Sequence, residues 1–357
     1  MANSLTLAVA GSGKTQKIVN YCKSISPDRR LLIVTLTQAN QGELRSRLSR
    51  SAGDHSGILV VGWYTFLIRD FARPFFPFKF PGEKIQGFSF EGRPSIYASG
   101  LSRFVNNERW AYASELGRLA NELIEDSNGA LIRRLECIYD EIWIDEVQDL
   151  SAHDWEIIHA LLQSKIEIKM VGDVRQAILS TNPRSKKNRK YAYSEAIRWF
   201  RERETEGLLN ITEMSTTWRC NPEISLFADT IFDDKWSFPK MKSNNLKRTE
   251  HDGVFLIRRE CLPEYVTRFS PQCLRNSRGS EKSLELNFLN FGESKGLEFE
   301  RILIIPTEGI CKFIQSGTFL EPFAAAKFYV AITRAVQSVA ILIDKPGKSL
   351  LPYWRPG

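Results

Sequence analysis

The 357-residue sequence predicts an α/β protein made of two doubly wound parallel-sheet domains. Three observations predict it. Two successive sets of short, apolar, β-branched runs are separated by helical patterns, as buried parallel strands require. A glycine-containing loop follows the first run, and another run ends in two carboxylates. The length exceeds one typical core and fits two of ordinary size.

The first set of runs spans 5–10, 31–37, 58–63, 141–145 and 166–172. The second spans 208–214, 253–258, 284–290, 301–306 and 338–343. Between them a charged helix end, 201–207, closes on Gly207 and reads as a linker. The expected domains are therefore 1–207 and 208–357. A segment of about 71–136 interrupts the first set. It opens on the aromatic, proline-containing stretch Phe71-Ala72-Arg73-Pro74-Phe75-Phe76-Pro77-Phe78 and continues as a helical pattern over 108–125. It reads as a small helical insertion.

Composition narrows the function class. Lys+Arg 49 against Asp+Glu 42 leaves a net charge of +7, which favours a polyanionic partner. Cys22, Cys137, Cys220, Cys261, Cys273 and Cys311 are scattered without a C-x-x-C spacing, and His55, His153, His159 and His251 complete no metal signature. Reduced thiols in a cytoplasmic protein are the expectation. No apolar run approaches the roughly 20 residues of a membrane span. Met1-Ala2-Asn3-Ser4 carries no basic region of a signal peptide. The run Arg184-Ser185-Lys186-Lys187-Asn188-Arg189-Lys190 reads either as a solvated loop or as a phosphate contact.

The chemistry concentrates in three places. Ala8-Val9-Ala10-Gly11-Ser12-Gly13-Lys14-Thr15 follows a strand and opens a helix, the context of a phosphate-binding loop. Gly11, Ser12 and Gly13 let backbone N–H groups converge on phosphate oxygens at a helix N-terminus. Lys14 suits the β- and γ-phosphates, and the Thr15 hydroxyl suits a Mg²⁺ position. Ile142-Trp143-Ile144-Asp145-Glu146 is an apolar strand ending in acids, where Asp145 suits the metal and Glu146 suits water orientation or general-base duty. Far downstream, Tyr329-Val330-Ala331-Ile332-Thr333-Arg334-Ala335 presents an arginine that a second domain can bring to the same nucleotide.

At this point the chain resembles superfamily 1 helicases of the UvrD/Rep type. The AxAGSGKT form of the loop is that family's own. Thr37 to Glu43-Leu44 is similar to motif Ia, and Gly62-Trp63-Tyr64-Thr65-Phe66 to motif Ib. Asp145-Glu146-Val147-Gln148-Asp149 resembles motif II, and Val171-Gly172-Asp173-Val174-Arg175-Gln176 motif III. Thr217-Trp218-Arg219-Cys220, Ser294-Lys295-Gly296-Leu297-Glu298-Phe299 and 329–335 resemble motifs IV, V and VI. The resemblance implies two RecA-like domains with ATP and Mg²⁺ in the cleft between them. It implies that Gln176 senses the γ-phosphate, that Trp218 stacks on the base and that Glu298 bonds the ribose. Arg219 and Arg334 would act as fingers in cis. For nucleic acid it implies contacts from Thr37, Trp63, Tyr64 and Thr65. Trp63, Tyr64 and Phe66 are equally readable as core.

The chain also departs from the pattern. Seven residues precede Ala8, leaving no room for the family's adenine-reading glutamine motif. Leu36 stands where motif Ia carries a stacking phenylalanine. Gln176 runs into Ala177-Ile178-Leu179-Ser180-Thr181-Asn182 in place of an aromatic-rich stretch, and Asn290-Phe291-Gly292 replaces the Thr-x-His of motif V. Cys220 to Phe291 leaves no room for the family's large second-domain insertion. The resemblance thus implies an ATP-dependent single-strand DNA translocase or minimal 3'-5' type helicase, with DNA expected over RNA. The alternative is a nucleotide-sensing regulatory subunit of a partner nuclease, as in bacterial antiphage defence.

Overall fold

Short apolar runs whose residues are all buried can only sit inside a sheet covered on both faces. The run Leu31–Thr35 is of this kind, with all five residues buried. In the computed structural model, which describes residues 3–51, 55–279 and 284–356, the chain forms two parallel sheets with helices around them. Met1 and Ala2 of the expected leaderless start lie outside the described residues.

The first sheet is built from β1 Ser4–Ala8, β2 Leu31–Thr35, β3 Ile58–Gly62, β6 Glu141–Asp145, β7 Glu167–Gly172 and β8 Asn210–Met214. The short pair β4 Gly87–Ser89 and β5 Trp110–Tyr112 lies apart from it, in the insertion. Strand order is β3-β2-β6-β7-β1-β8. The loop after β1 therefore opens at an interior strand, at the carboxyl edge where ligands of such sheets bind.

A second short pair, β9 Thr216–Thr217 and β10 Lys242–Ser243, precedes the second sheet. That sheet holds β11 Gly253–Ile257, β12 Gln272–Arg275, β13 Phe288–Asn290, β14 Phe299–Ile304 and β15 Ala335–Leu342, in the order β11-β15-β14-β12-β13.

Three expectations change. Residues 208–214 were expected in the second domain, yet β8 pairs with β1 from Ser4↔Asn210 to Ala8↔Met214. This pairing closes an edge of β1 that would otherwise be open, so the sheets divide after Met214 rather than at 207. The helix expected over 108–125 runs Ala113–Asp126, because Trp110–Tyr112 is drawn into pairing with Gly87–Ser89. Of 284–290 only Phe288–Asn290 is strand, and β12, with a polar residue at each end, sits inside the sheet unforeseen.

The two sheets share packing. Val9 and Ala10, from the loop after β1, lie in the same apolar cluster as Phe328 and Tyr329 of the helix Pro322–Ile332. Arg175, 2% exposed, reaches across: its guanidinium pairs with Asp173 at 3.4 Å and with Asp229 at 2.9 Å. It also lies 4.5 Å from the Tyr329 ring centroid, a cation–π contact. The Tyr329 hydroxyl donates to Asp173 Oδ2 at 3.2 Å.

Behind the second sheet His251 is sandwiched between Phe255 and Phe269, at 4.3 and 4.1 Å between ring centroids. Burial, helped by the Arg301 charge, pushes its imidazole down to about 4.

Two outcomes follow from this packing. Arg175→Ala takes the cation from the buried Asp173 and the half-buried Asp229 and should cost about 3–5 kcal/mol, read as a large drop in thermal or urea midpoint. An unchanged midpoint contradicts the pairing. His251 binds its proton more weakly folded than unfolded, so its stabilisation is complete above pH ~6.5 and is lost as pH falls towards its folded value. His251→Phe should flatten the loss of stability between pH 6.5 and 4 in urea titrations, relative to the unaltered chain.

Candidate active site

Gly11 and Gly13 take left-handed backbone angles, φ +69° and +84°, open to glycine without strain. Gly13 sits at the N-cap of the helix Lys14–Ser24, which turns that helix end towards the sheet's carboxyl edge. Gly11 has a second constraint. A Cβ there would stand 2.7 Å from Arg219 Cβ and 2.8 Å from Thr217 Oγ1, and its carbonyl accepts from Trp218 N at 3.0 Å. The loop is thus covered from outside by the motif IV segment. The Ser12 hydroxyl is buried with no hydrogen-bond partner.

A cleft of about 590 Å³ opens at this point. It is lined by Gly11, Ser12, Gly13, Lys14 and Thr15 of the loop and by Trp218, Arg219, Glu298 and Arg334 from further along the chain. Glu146, Gln176 and Thr37 also face into it.

Electrostatics in the cleft are tightly balanced. Asp145 ends β6 as a buried carboxylate, and its Oδ1 accepts from Glu146 N at 3.0 Å. Burial, then the neighbouring Glu146 charge, pushes its carboxyl up. Glu146 has φ +54°, an uncommon angle for a residue with a side chain. That turn aims its carboxylate at Lys14 Nζ, 3.6 Å away, and Gln148 donates to it. Burial opposes its ionisation, but Lys14 and Lys295 outweigh burial and hold its carboxyl low. Lys295 was unassigned by the sequence reading. Its Nζ sits 2.6 Å from Asp149 Oδ2, donates to the Gln176 carbonyl at 3.1 Å and lies 3.8 Å from Glu146. The signal was its place beside Glu298 in motif V, but no spacing rule says which carboxylate a lysine from another sheet will meet.

From the second sheet, the Arg334 guanidinium is 2% exposed and donates to Gln176 Oε1 at 3.0 Å. Gln176 Nε2 in turn donates to Asp173 Oδ2 at 2.8 Å. Burial, with Arg219 adding its like charge, brings the Arg334 pKa down to about 10. Arg219 pairs with Glu298 at 2.7 Å and donates to the Thr333 carbonyl at 3.2 Å. Trp218 is 67% exposed, its indole free to meet a flat ring.

The residues suit a triphosphate and its metal. The buried Ser12 hydroxyl has no partner, Gly11 and Gly13 are left-handed, and Lys14, Lys295, Arg219 and Arg334 gather at the cleft; Thr15 on its lining and the buried Asp145 just behind Glu146 are hard oxygen donors of the kind Mg²⁺ takes.

The nucleic-acid candidates divide. Trp63 is 1% exposed and its Nε1 donates to Asp154 Oδ1 at 3.1 Å, so it is core and cannot stack on a base. Its ring lies in the first apolar cluster, 5.9 Å from that of Phe66, where its surface is worth more than in solvent. Phe66 is likewise buried. Thr37 Oγ1 accepts from Asn40 N at 3.1 Å at the start of the helix Gln38–Ser51. Thr65 is exposed, and Tyr64 is half-buried with its hydroxyl donating to the Thr181 carbonyl at 3.0 Å.

Comparison with known proteins adds the following. Among solved structures the chain is similar to the PRRSV helicase, at 14% identity and a TM-score of 0.45, covering 96% of this chain and 52% of that one. It is also similar to arterivirus nonstructural protein 10 (helicase), at 14% identity and 0.47, covering 96% and 59%, and to the same arterivirus protein in complex with DNA, at 14% and 0.48, covering 96% and 61%. The chain spans between half and about three-fifths of these proteins' length. No curated protein matches it. Residues 95–182 match the family model of the UvrD/REP helicase N-terminal domain. That stretch carries both Asp145–Asp149 and the Gln176 that meets Arg334.

Proposed function

We propose that the chain is an ATP-hydrolysing, single-strand-dependent translocase or minimal helicase of the UvrD/Rep kind, acting on DNA in preference to RNA. The contact between Arg334 and Gln176 carries this reading, because it joins a cation from one sheet to the end of motif III in the other, within the cleft. Lys14 and the loop N–H groups hold the phosphates, and Trp218 offers its face to the base. Thr15 and Asp145 would hold Mg²⁺, which neutralises charge on the phosphate oxygens when bound.

Glu146, kept ionised by Lys14 and Lys295, orients a water and takes its proton as the water oxygen bonds to the γ-phosphorus. The bond from that phosphorus to the β–γ bridging oxygen breaks, and the bridging oxygen leaves with the diphosphate. Arg219 and Arg334 stabilise the charge that develops. Gln176 and Asp173 pass the state of the cleft to Tyr329 and Arg175, which bind the sheets together.

A second reading, a nucleotide-sensing regulatory subunit of a partner nuclease, is favoured by one observation: the buried Trp63 removes a strand contact. Turnover separates the two. ATPase should rise many-fold with single-stranded DNA and more weakly with RNA, and the stimulation should fall between low and moderate salt. Turnover indifferent to every strand overturns the translocase and leaves the regulatory reading.

Lys14→Ala should abolish turnover, and Glu146→Gln should retain bound nucleotide while hydrolysis stops. Arg334→Ala should lower turnover roughly 10³-fold with nucleotide affinity spared. A loss under tenfold would mean that this guanidinium does not meet the transferring phosphoryl group.

A further inference from the structure

Phe90 leaves 71% of its surface in solvent although two aromatic rings lie behind it. It meets Tyr64 edge-on at 5.0 Å and Phe88 edge-on at 5.5 Å, while Tyr64 and Phe88 stack at 5.7 Å. A ring braced on two others is held in one orientation, so its exposed surface is presented rather than merely left uncovered. The cluster is tied to its surroundings at two points. The Tyr64 hydroxyl donates to the Thr181 carbonyl at 3.0 Å, and Asn182 Nδ2 donates to the Ser114 carbonyl at 2.6 Å. Ser114 lies in the first turn of the helix that follows β5, the partner of the strand holding Phe88. Thr181 and Asn182 lead directly into the basic run 184–190, in which Arg184, Lys186 and Arg189 are exposed. Lys187 is held by Glu156 at 3.2 Å.

We propose that Phe90, braced by Phe88 and Tyr64, is a base-stacking platform for single-stranded nucleic acid, with Arg184, Lys186 and Arg189 beside it for the phosphates. It rests on the strand-dependent reading above and supplies the stacking surface that the buried Trp63 and aliphatic Leu36 do not. Charge complementarity selects the occupant. A flat ring accepts any base, and neighbouring cations suit a phosphate backbone, whereas an apolar protein contact has no use for them.

The test is equilibrium binding of DNA and RNA oligonucleotides containing 2-aminopurine, read by anisotropy and by fluorescence quenching. The unaltered chain should bind and quench. Phe90→Ala, whose ring is exposed, should melt with the unaltered chain, lose the quenching and bind about 5- to 150-fold more weakly. Phe90→Tyr should retain both signals. Arg189→Glu should reduce the dependence of affinity on salt while leaving the quenching in place, a result independent of how Phe90→Ala folds. If the unaltered chain binds and Phe90→Ala binds and quenches equally, the platform alone is wrong and the patch faces a protein. If no strand binds the unaltered chain, both the platform and the strand-dependent reading fall.

Discussion

The Arg334 guanidinium is buried, and the groups around it at the cleft satisfy that constraint. A charge so placed is costly unless hydrogen-bonded on several sides. Here Val330, Leu297 and Thr333 supply oxygens from its own sheet, and Gln176 supplies one from the other. The Gln176 amide is therefore fixed at both ends, because its nitrogen is already committed to Asp173. Separating the sheets breaks the Arg334–Gln176 bond and exposes the Asp173, Arg175 and Tyr329 set in one event. Buried polar groups linked in this way strengthen one another, so the contact between the sheets is made or lost as a unit.

The cleft beside the loop after β1 and the open surface around Phe90 are built on different logics. In the cleft, charges face one another at close range and low exposure, so small displacements matter. Around Phe90, Tyr64 and the basic run the surface is open, and its contacts depend on flat rings and screened charges. Trp63 marks the border between them: its side chain serves the core through Asp154, whose carboxylate also accepts from Thr181 and Ser151. Burial pushes the Asp154 carboxyl up to about 6.

Much of the fold was legible because buried parallel strands leave apolar runs, and the loop and acid motifs sit where strand ends must be. Glu141–Asp145 was readable to the residue, with all five of its side chains buried. What was not legible depended on partners distant in sequence. β8 has mostly exposed or half-exposed residues, and only its pairing with β1 assigns it to the first sheet. The residues of the cleft were named by motif, yet Lys295 meeting Asp149 and Gly11 pressed against Arg219 are tertiary facts without local trace. Trp63 could be read both ways, since an aromatic beside a strand end carries no mark of which side it will face.

The placement of β1 has a bearing on biogenesis. Ser4 pairs with Lys169 on one side and with Asn210 on the other. During vectorial synthesis this apolar strand leaves the ribosome with neither neighbour yet made, and must wait until most of the first sheet has been translated. Loop closure over such spans is slow, and unpaired apolar strands are what chaperones recognise. The strand that anchors the Gly11–Gly13 loop thus gains its two neighbours only after the chain through Met214 has been made.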